Sequence, residues 1–140
     1  MRIVLDTNVL IAAMRSPRGA SAEVLQLALQ KRVTMVGGLS LALEYLDVCG
    51  RPESRAGTDI AAADALRFAD EVIAQLSPVE IRFRWRPSTP DPGDEHVVET
   101  ALNGAADAIV TFNARDFAEA TARFGLQVLT PADIVRKLES

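Results

Sequence analysis

The stretch IVLDTNVLIAAM, residues 3–14, decides the fold of this chain. It begins with three apolar residues, passes through the polar trio Asp6, Thr7 and Asn8, and becomes apolar again. A short, continuous and partly β-branched apolar run is typical of a buried strand in a parallel sheet. Asp6 or Thr7 can cap a helix that carries the second apolar run. The pattern therefore predicts a strand–helix unit with a carboxylate at its turn, where parallel sheets bind their ligands.

The same alternation continues along the rest of the chain. Further strands are predicted at 33–36, 108–111 and 127–129, and the segment 77–85 looks extended. The predicted helices cover residues 7–14, 20–31, 40–48, 58–75, 94–103 and 118–124, and a last one starts at Pro131. Strands that alternate with helices predict an α/β fold, in which a central, mostly parallel sheet of four or five strands is flanked by helices.

Composition and length limit the classes of protein to consider. With 140 residues, 49% of them hydrophobic and 24% charged, the chain is expected to fold as a single domain over residues 1–140. Its one cysteine, Cys49, excludes an internal disulfide and is consistent with a reducing cytosol. No apolar run approaches the about 18 residues of a membrane span, and no basic leader precedes the first strand. We therefore expect a cytoplasmic protein without a membrane span or a signal peptide.

The net charge of −4 argues against a protein that binds nucleic acid over its whole surface, because such proteins are usually basic. A phosphate-containing ligand would have to meet a local basic patch or bound cations. The simpler alternative is that the charge only keeps the protein soluble.

Oxygen-bearing side chains follow the predicted strands at the edge of the sheet where a site would form. Asp6 follows the first strand, Glu44 lies on the helix after the second, and Thr111 ends a later strand. Flanking segments add four more such residues, namely Asp94, Glu95, Asn113 and Asp116. Two carboxylates about 4 Å apart repel each other by several kcal/mol at an effective dielectric constant near 20, so a cluster needs a cation. Mg²⁺ or Mn²⁺ is expected, because one His96 and one Cys49 do not suit zinc.

Each of these side chains also has a purely structural interpretation. Asp6 can be only a helix cap, and Asp116 can cap the helix that follows it. Asp94 and Glu95 can simply favour a helix N-terminus through charge–dipole attraction, and Glu44 can be a solvated helix residue. The metal-site interpretation is favoured because the chain order would bring all of them to one edge of the same sheet.

Four motifs occur along the chain: LDTNVLIAA at 5–13, LALEY at 41–45, DPGDEHVVETALNGAADAIVTFNARDF at 91–117 and VLTPADIV at 128–135. In sequence and order they resemble the PIN-domain ribonucleases, and most closely the small bacterial VapC-like toxins of toxin–antitoxin pairs. The resemblance spans nearly the whole chain. It implies a PIN-like three-layer sandwich and metal-dependent cleavage of RNA.

The resemblance also assigns roles to individual residues. The acids that match the family's catalytic metal ligands are Asp6, Glu44, Asp94 and Asp116. The polar residues that would orient these ligands are Asn8 and Thr111. Glu95 stands beside Asp94 as a substitute if the register differs by one residue. Asn113 matches a further metal ligand, but its amide brings an oxygen without a charge, so we expect at least one Mg²⁺ and do not commit to two.

The reaction that the resemblance implies is hydrolysis. A water molecule aligned by Asp94 or Asp116 attacks phosphorus in line, and no covalent enzyme intermediate is needed. The implied partners are RNA as the substrate, a small antitoxin protein that covers the cleft, and a second copy of the chain in a homodimer.

The segment IRFRWRP, residues 81–87, alternates apolar residues with arginines. As a strand it would present one apolar and one basic face. The basic face would contact RNA phosphates while Trp85 stacks on a base or anchors a partner, or it would simply be a solvated face. The RNA-binding candidates are Arg15, Arg82, Arg84 and Arg86.

Two other functions stay open at this point. A phosphatase of the haloacid dehalogenase type also has an aspartate after its first strand, but it usually needs a second aspartate where this chain has Asn8. A PIN-fold module could instead bind RNA or a partner without cleavage, although the four intact acids argue against a dead site. His96, one helical turn from the acids, is either a general acid or a surface residue.

Overall fold

A computed structural model describes residues 1–139 of the chain. Within them, five short strands form one sheet: β1 Arg2–Leu5, β2 Thr34–Gly37, β3 Ser77–Pro78, β4 Ala108–Val110 and β5 Gln127–Leu129. The α-helices of the same range are α1 Thr7–Arg15, α2 Ala20–Leu29, α3 Leu39–Gly50, α4 Pro52–Arg55, α5 Ala62–Ala74, α6 Glu95–Asn103, α7 Ala118–Phe124 and α8 Pro131–Glu139. Two 3₁₀ turns, Pro92–Asp94 and Ala114–Phe117, precede α6 and α7. No helix in this described part is long and apolar enough to cross a membrane.

All five strands are parallel, in the order β3-β2-β1-β4-β5, which confirms the predicted α/β fold with a central parallel sheet. β1 lies in the middle, as expected for a strand whose Ile3 and Val4 are fully buried. Leu5 at the end of β1 is paired with Val110 at the end of β4. The Asp6 N–H then donates to the Val110 carbonyl at 2.9 Å. The polar residues that follow these two strands therefore leave the sheet side by side.

The helices pack around the sheet and against one another. α3 contacts α1, α5 and α6, and α2 contacts α1 and α8. Tyr45 on α3 is completely buried, and its hydroxyl donates to the Leu5 carbonyl at 2.6 Å. Burial raises the pKa of Tyr45 far above its ordinary value, so the hydroxyl keeps its proton and remains a donor. This bond fixes α3, and with it Glu44, against the end of β1.

The segment 77–85 departs from the prediction, because only β3 at its start pairs with another strand. Beyond β3, the side chain of Asn103 takes the place of a partner strand. Its Oδ1 accepts from the Arg82 and Phe83 N–H groups, each at 3.0 Å, and its Nδ2 donates to the Phe83 carbonyl at 2.9 Å. IRFRWRP is therefore not a strand, so the condition under which it would present one apolar and one basic face is not met.

The helix predicted over 58–75 begins later than expected, at Ala62. Residues before it form a turn, in which the Thr58 hydroxyl donates to the Arg55 carbonyl at 2.6 Å and accepts from the Ile60 N–H at 3.3 Å. A hydroxyl that bonds to its own backbone in this way competes with helix formation. The apolar periodicity that predicted the helix does not record this competition.

Candidate active site

Asp6 joins the end of β1 to the start of α1. Its Oδ1 accepts from the Thr7 N–H at 2.8 Å, so the predicted helix cap is confirmed. Its Oδ2 accepts from the Thr111 hydroxyl at 2.8 Å. Asp6 is only 6% exposed, and this burial raises its pKa although both hydrogen bonds oppose the shift. Asp6 is thus a firmly held carboxylate in a buried position, and a nearby cation would favour its charged form.

Thr111 is the residue that connects the polar groups around Asp6. Besides donating to Asp6, its Oγ1 accepts from the Asn113 N–H at 3.0 Å and from Asn8 Nδ2 at 3.4 Å. Asn8 Oδ1 is buried and has no hydrogen-bond partner within residues 1–139. A buried acceptor without a partner costs about 1–3 kcal/mol. This oxygen is therefore available to a ligand that reaches the cleft.

A cleft of about 300 Å³ lies beside Asp6, and α1, α3 and the segment at the start of α6 contribute its walls. Its polar lining residues are Asp6, Thr7, Asn8, Glu44, Arg51, Asp91, Asp94 and His96. The pKa of Asp94 is raised to about 6, first by burial and then by the charges of Asp6, Asp91, Asp116 and Glu95. Burial is the larger cause, and the repulsion adds to it because carboxylates from distant parts of the chain face Asp94.

Three of the four predicted catalytic acids, Asp6, Glu44 and Asp94, line this cleft together. Asp116, on the 3₁₀ turn after β4, lines an adjacent cavity of about 530 Å³ with Asn113. Its charge contributes to the raised pKa of both Asp6 and Asp94. Across residues 1–139, however, no three His, Cys, Asp or Glu side chains are already spaced to hold a metal ion. The acids lie at one edge of the sheet, but the described side chains do not yet form a complete set of metal ligands.

The donor atoms in the cleft fit Mg²⁺ or Mn²⁺ better than zinc. They are carboxylate oxygens together with the unpaired Oδ1 of Asn8, and hard divalent cations prefer such ligands. Zinc prefers nitrogen and sulfur. His96 brings one imidazole to the cleft, with a buried Nδ1 that has no partner in the described chain, while Cys49 is not among the lining residues.

Glu95 has a different role from its neighbour Asp94. It is 3% exposed and accepts from the Ser88 N–H at 2.8 Å, the Ser88 hydroxyl at 2.6 Å and the Thr89 N–H at 3.2 Å. Burial acts to raise its pKa, but these bonds and the charge of Arg86 hold the pKa below its ordinary value. Glu95 therefore anchors the loop before α6. Asp94, and not Glu95, is the acid of this pair that lines the cleft.

Sequence reasoning missed Asp91 and the two hydroxyl residues that shape this loop. Thr89 Oγ1 donates to the Asp91 carbonyl at 2.7 Å, and Asp91 Oδ1 accepts from the Gly93 N–H at 2.9 Å. The Asp94 N–H donates to the Asp91 carbonyl at 3.0 Å. Asp-Pro-Gly is a recognisable turn signal. No such local pattern marks Glu95, whose buried carboxylate accepts the hydrogen bonds from Ser88.

The four RNA-binding candidates have different surroundings. Arg86 forms a bidentate pair with buried Glu99, with N–O distances of 2.9 and 2.8 Å. Arg15 donates to two backbone carbonyls, in and just after α4. Both guanidinium groups are thus engaged within the protein. Arg82 pairs only with an exposed glutamate, and Arg84 makes no hydrogen bond or ion pair within residues 1–139.

Comparison with known proteins agrees with this architecture. Among solved structures, the crystal structure of VapBC2 from Rickettsia felis bound to a DNA fragment from their promoter is similar, with a TM-score of 0.61. The alignment covers 93% of this chain and 98% of that chain at 16% identity, so the likeness concerns the fold. No curated protein sequence matches the chain. Residues 2–115 match the sequence profile of the PIN domain, a range that includes Asp6, Glu44, Asp94 and Asn113 and ends just before Asp116. The chain therefore belongs to the PIN domain family.

Proposed function

We propose that this PIN-domain protein is an endoribonuclease that hydrolyses RNA phosphodiester bonds with a divalent metal ion, Mg²⁺ or Mn²⁺. The observation that carries the proposal is the shared cleft of Asp6, Glu44 and Asp94, which come from β1, α3 and the turn before α6. Carboxylates that repel one another across a cleft are stabilised by a cation between them. The raised pKa of Asp94 supports this reasoning, because after burial its causes are the charges of the neighbouring carboxylates.

Each residue of the site would have its own role in metal binding or in catalysis. The cleft acids would hold the ion, with Asn113 and Asp116 beside them and Asn8 Oδ1 as a neutral oxygen. When bound, a divalent ion orients the phosphodiester and stabilises the charge that develops on the leaving oxygen. Thr7 and Thr111 bond to the two oxygens of Asp6 and so keep this carboxylate from rotating. Asp94 or Asp116 would align the attacking water and accept its proton.

The test is cleavage of unstructured and structured RNA by the wild type and by Asp6→Asn, in Mg²⁺, in Mn²⁺ and in EDTA. The matched control is Asp70→Asn, which changes an exposed aspartate on α5 outside the cleft. We expect cleavage by the wild type and the control with metal, and none in EDTA or by Asp6→Asn. Equal activity of Asp6→Asn and wild type would refute the catalytic assignment. RNA binding without any cleavage would favour the non-catalytic module instead.

We further propose that the protein acts in the cytoplasm as the toxin of a toxin–antitoxin pair. The support is the fold, which is similar to that of a protein in the VapBC2 complex, together with the toxin-like motifs. Induced expression of the wild type should stop growth of a bacterial host, and Asp6→Asn should not. A short reading frame next to the gene, whose product restores growth and copurifies with this protein, would identify the antitoxin. The homodimer stays a prediction, which sedimentation velocity can test.

A further inference from the structure

Three aromatic rings from two distant parts of the chain form a continuous row at the surface. Phe83 and Trp85 have their ring centroids 5.7 Å apart at an interplanar angle of 39°, and Trp85 meets Phe124 of α7 edge-on at 5.8 Å. Phe83 stands at the open end of this aromatic row and is 63% exposed. The row therefore ends in a ring on which a further flat group can stack.

The backbone beneath the aromatic row is held firmly. Asn103 bonds to Arg82 and Phe83 as described above, and it also donates from Nδ2 to the Glu99 carbonyl at 2.8 Å. On the other side of Trp85, Arg86 is fixed by its bidentate pair with Glu99. A backbone that is fixed before binding loses little conformational entropy when a ligand stacks on the rings that it carries.

The charge around the aromatic row is positive, in contrast to the net charge of −4 for the whole chain. The Arg123 guanidinium lies 5.0 Å from the centroid of the Phe124 ring, and Arg84 has no acidic partner within residues 1–139. Arg82 pairs with Glu80, but these side chains are 71% and 76% exposed, so the pair is weak and easily exchanged. Proteins bind single-stranded nucleic acid through two features, exposed aromatic faces and nearby arginines, and both are present here.

The aromatic row borders a groove at the end of α6. The groove has a volume of about 520 Å³ and is lined by Phe83 and Trp85 on one side and by the end of α6 on the other. Arg123 donates to the Pro87 carbonyl at 3.1 Å, where the chain passes into the loop that carries Asp94. Arg2 at the start of β1 also lines the groove, so the groove lies at the edge of the sheet opposite the acidic cleft, which follows the end of β1.

We propose that the aromatic row and the exposed Arg82 and Arg84 beside it bind single-stranded RNA outside the cleft. A base stacks on Phe83, and the guanidinium group of Arg84 contacts a backbone phosphate. Paired bases are not free to stack, so the site selects unpaired segments of a substrate. This inference rests on the proposed function in one respect only, which is that RNA is the substrate.

The test measures binding alone, in EDTA, so that cleavage plays no part. Trp85 is the only tryptophan of the chain, and its fluorescence therefore reports directly on the aromatic row. We expect a 12-nucleotide oligouridylate to quench this fluorescence and a 12-base-pair RNA duplex to bind more weakly. Phe83→Ala should raise the dissociation constant about tenfold, the effect of losing one stacked base. Arg84→Ala should reduce the slope of log affinity against log salt by about 0.7, the value for one phosphate contact.

Two exposed residues away from the aromatic row serve as matched controls. Leu29→Ala removes an apolar side chain from α2 that is 55% exposed, and Arg67→Ala removes an arginine from α5 that is 69% exposed. Neither change should alter oligouridylate affinity or its salt dependence. Thermal melting should show Phe83→Ala as stable as the wild type, because most of the Phe83 side chain is already in water.

The outcomes separate this inference from the proposed nuclease activity. Wild-type affinity in Phe83→Ala, or a duplex bound as tightly as the single strand, would overturn the inference even if the enzyme cleaves RNA. Binding as described, without cleavage in any metal, would instead overturn the nuclease proposal and leave this site standing. If both hold, Phe83→Ala should raise the KM for a long unpaired substrate and leave kcat unchanged.

Discussion

Replacing Asp94 by asparagine should stabilise the metal-free protein, although most substitutions destabilise. The pKa of Asp94 rises from its ordinary value of 3.8 to about 6, first because the group is buried and then because Asp6, Asp91 and Asp116 repel its charge. At about 1.36 kcal/mol for each pKa step, the ionised group would cost the fold about 3 kcal/mol. Asp94 is partly exposed, and solvent screening reduces this to about 1.5 kcal/mol. The lost attraction to the N-terminus of α6 offsets about 0.5 kcal/mol, which leaves a gain of about 1 kcal/mol.

The size of this stabilisation depends on pH in a defined way. Because the folded pKa is raised, the penalty is complete above about pH 6 and disappears as the pH falls below 3.8, where the group is protonated in both states. Urea unfolding in EDTA at pH 7.5 and at pH 3.5 should therefore show a stabilised Asp94→Asn only at the higher pH. Asp70→Asn, on the exposed surface of α5, should match the wild type at both values.

Metal should reverse the order of stability. Mg²⁺ that binds only the folded wild type adds stability in proportion to the logarithm of its concentration, and Asp94→Asn should lose most of that increment. If Asp94→Asn is less stable than the wild type in EDTA at pH 7.5, the ionised Asp94 does not destabilise the fold and the reasoning is wrong.

Three further substitutions test the contacts that surround the cleft. Tyr45→Phe removes the 2.6 Å bond to the Leu5 carbonyl and should lower the free energy of unfolding by about 1 kcal/mol in urea titrations, whereas no change would mean that water replaces the hydroxyl. Thr111→Val keeps the side-chain shape but removes the donor to Asp6 and the acceptor for the Asn113 N–H. RNA cleavage should therefore slow about tenfold or more, while the far-UV circular dichroism spectrum stays unchanged. Full activity of Thr111→Val would exclude an orienting role for Thr111. Glu95→Gln weakens three hydrogen bonds from Ser88 and Thr89 and should lower the free energy of unfolding by about 1–2 kcal/mol above pH 4.5. This difference from the wild type should be lost as the pH falls below that value, because the pKa of Glu95 is lowered in the folded protein. A difference in stability that stays constant across pH would contradict the lowered pKa.

The parts of the fold that the sequence predicts are those set by local pattern. Ile3–Leu5 and Ala108–Val110 are short apolar runs that only a central strand can bury, so both strands and their shared edge follow from the sequence. The convergence of the acids follows as well, because parallel strands end at one edge. The segment after β3 misled the prediction, because its alternating pattern suits a strand while the Asn103 amide, 20 residues away in sequence, binds its backbone.

The parts of the site that escaped prediction depend on side chains that meet only in three dimensions. The resemblance matches Asp94 to the family's acid with Glu95 as a substitute, but the local pattern alone does not separate them, because adjacent carboxylates at a helix start look alike. The distinction arises from Ser88, whose N–H and hydroxyl both hold Glu95 in the interior. The contact between Trp85 and Phe124 likewise joins residues that are far apart in the chain.

Diffraction from crystals soaked in Mn²⁺, recorded for its anomalous signal, tests the cation site most directly. A peak is expected in the cleft within about 2.3 Å of oxygen atoms of Asp6 and Asp94, and it should vanish in Asp94→Asn crystals treated in the same way. A cleft without manganese at millimolar concentration, or ions bound only at acids outside it, would mean that these carboxylates share a space for some reason other than catalysis.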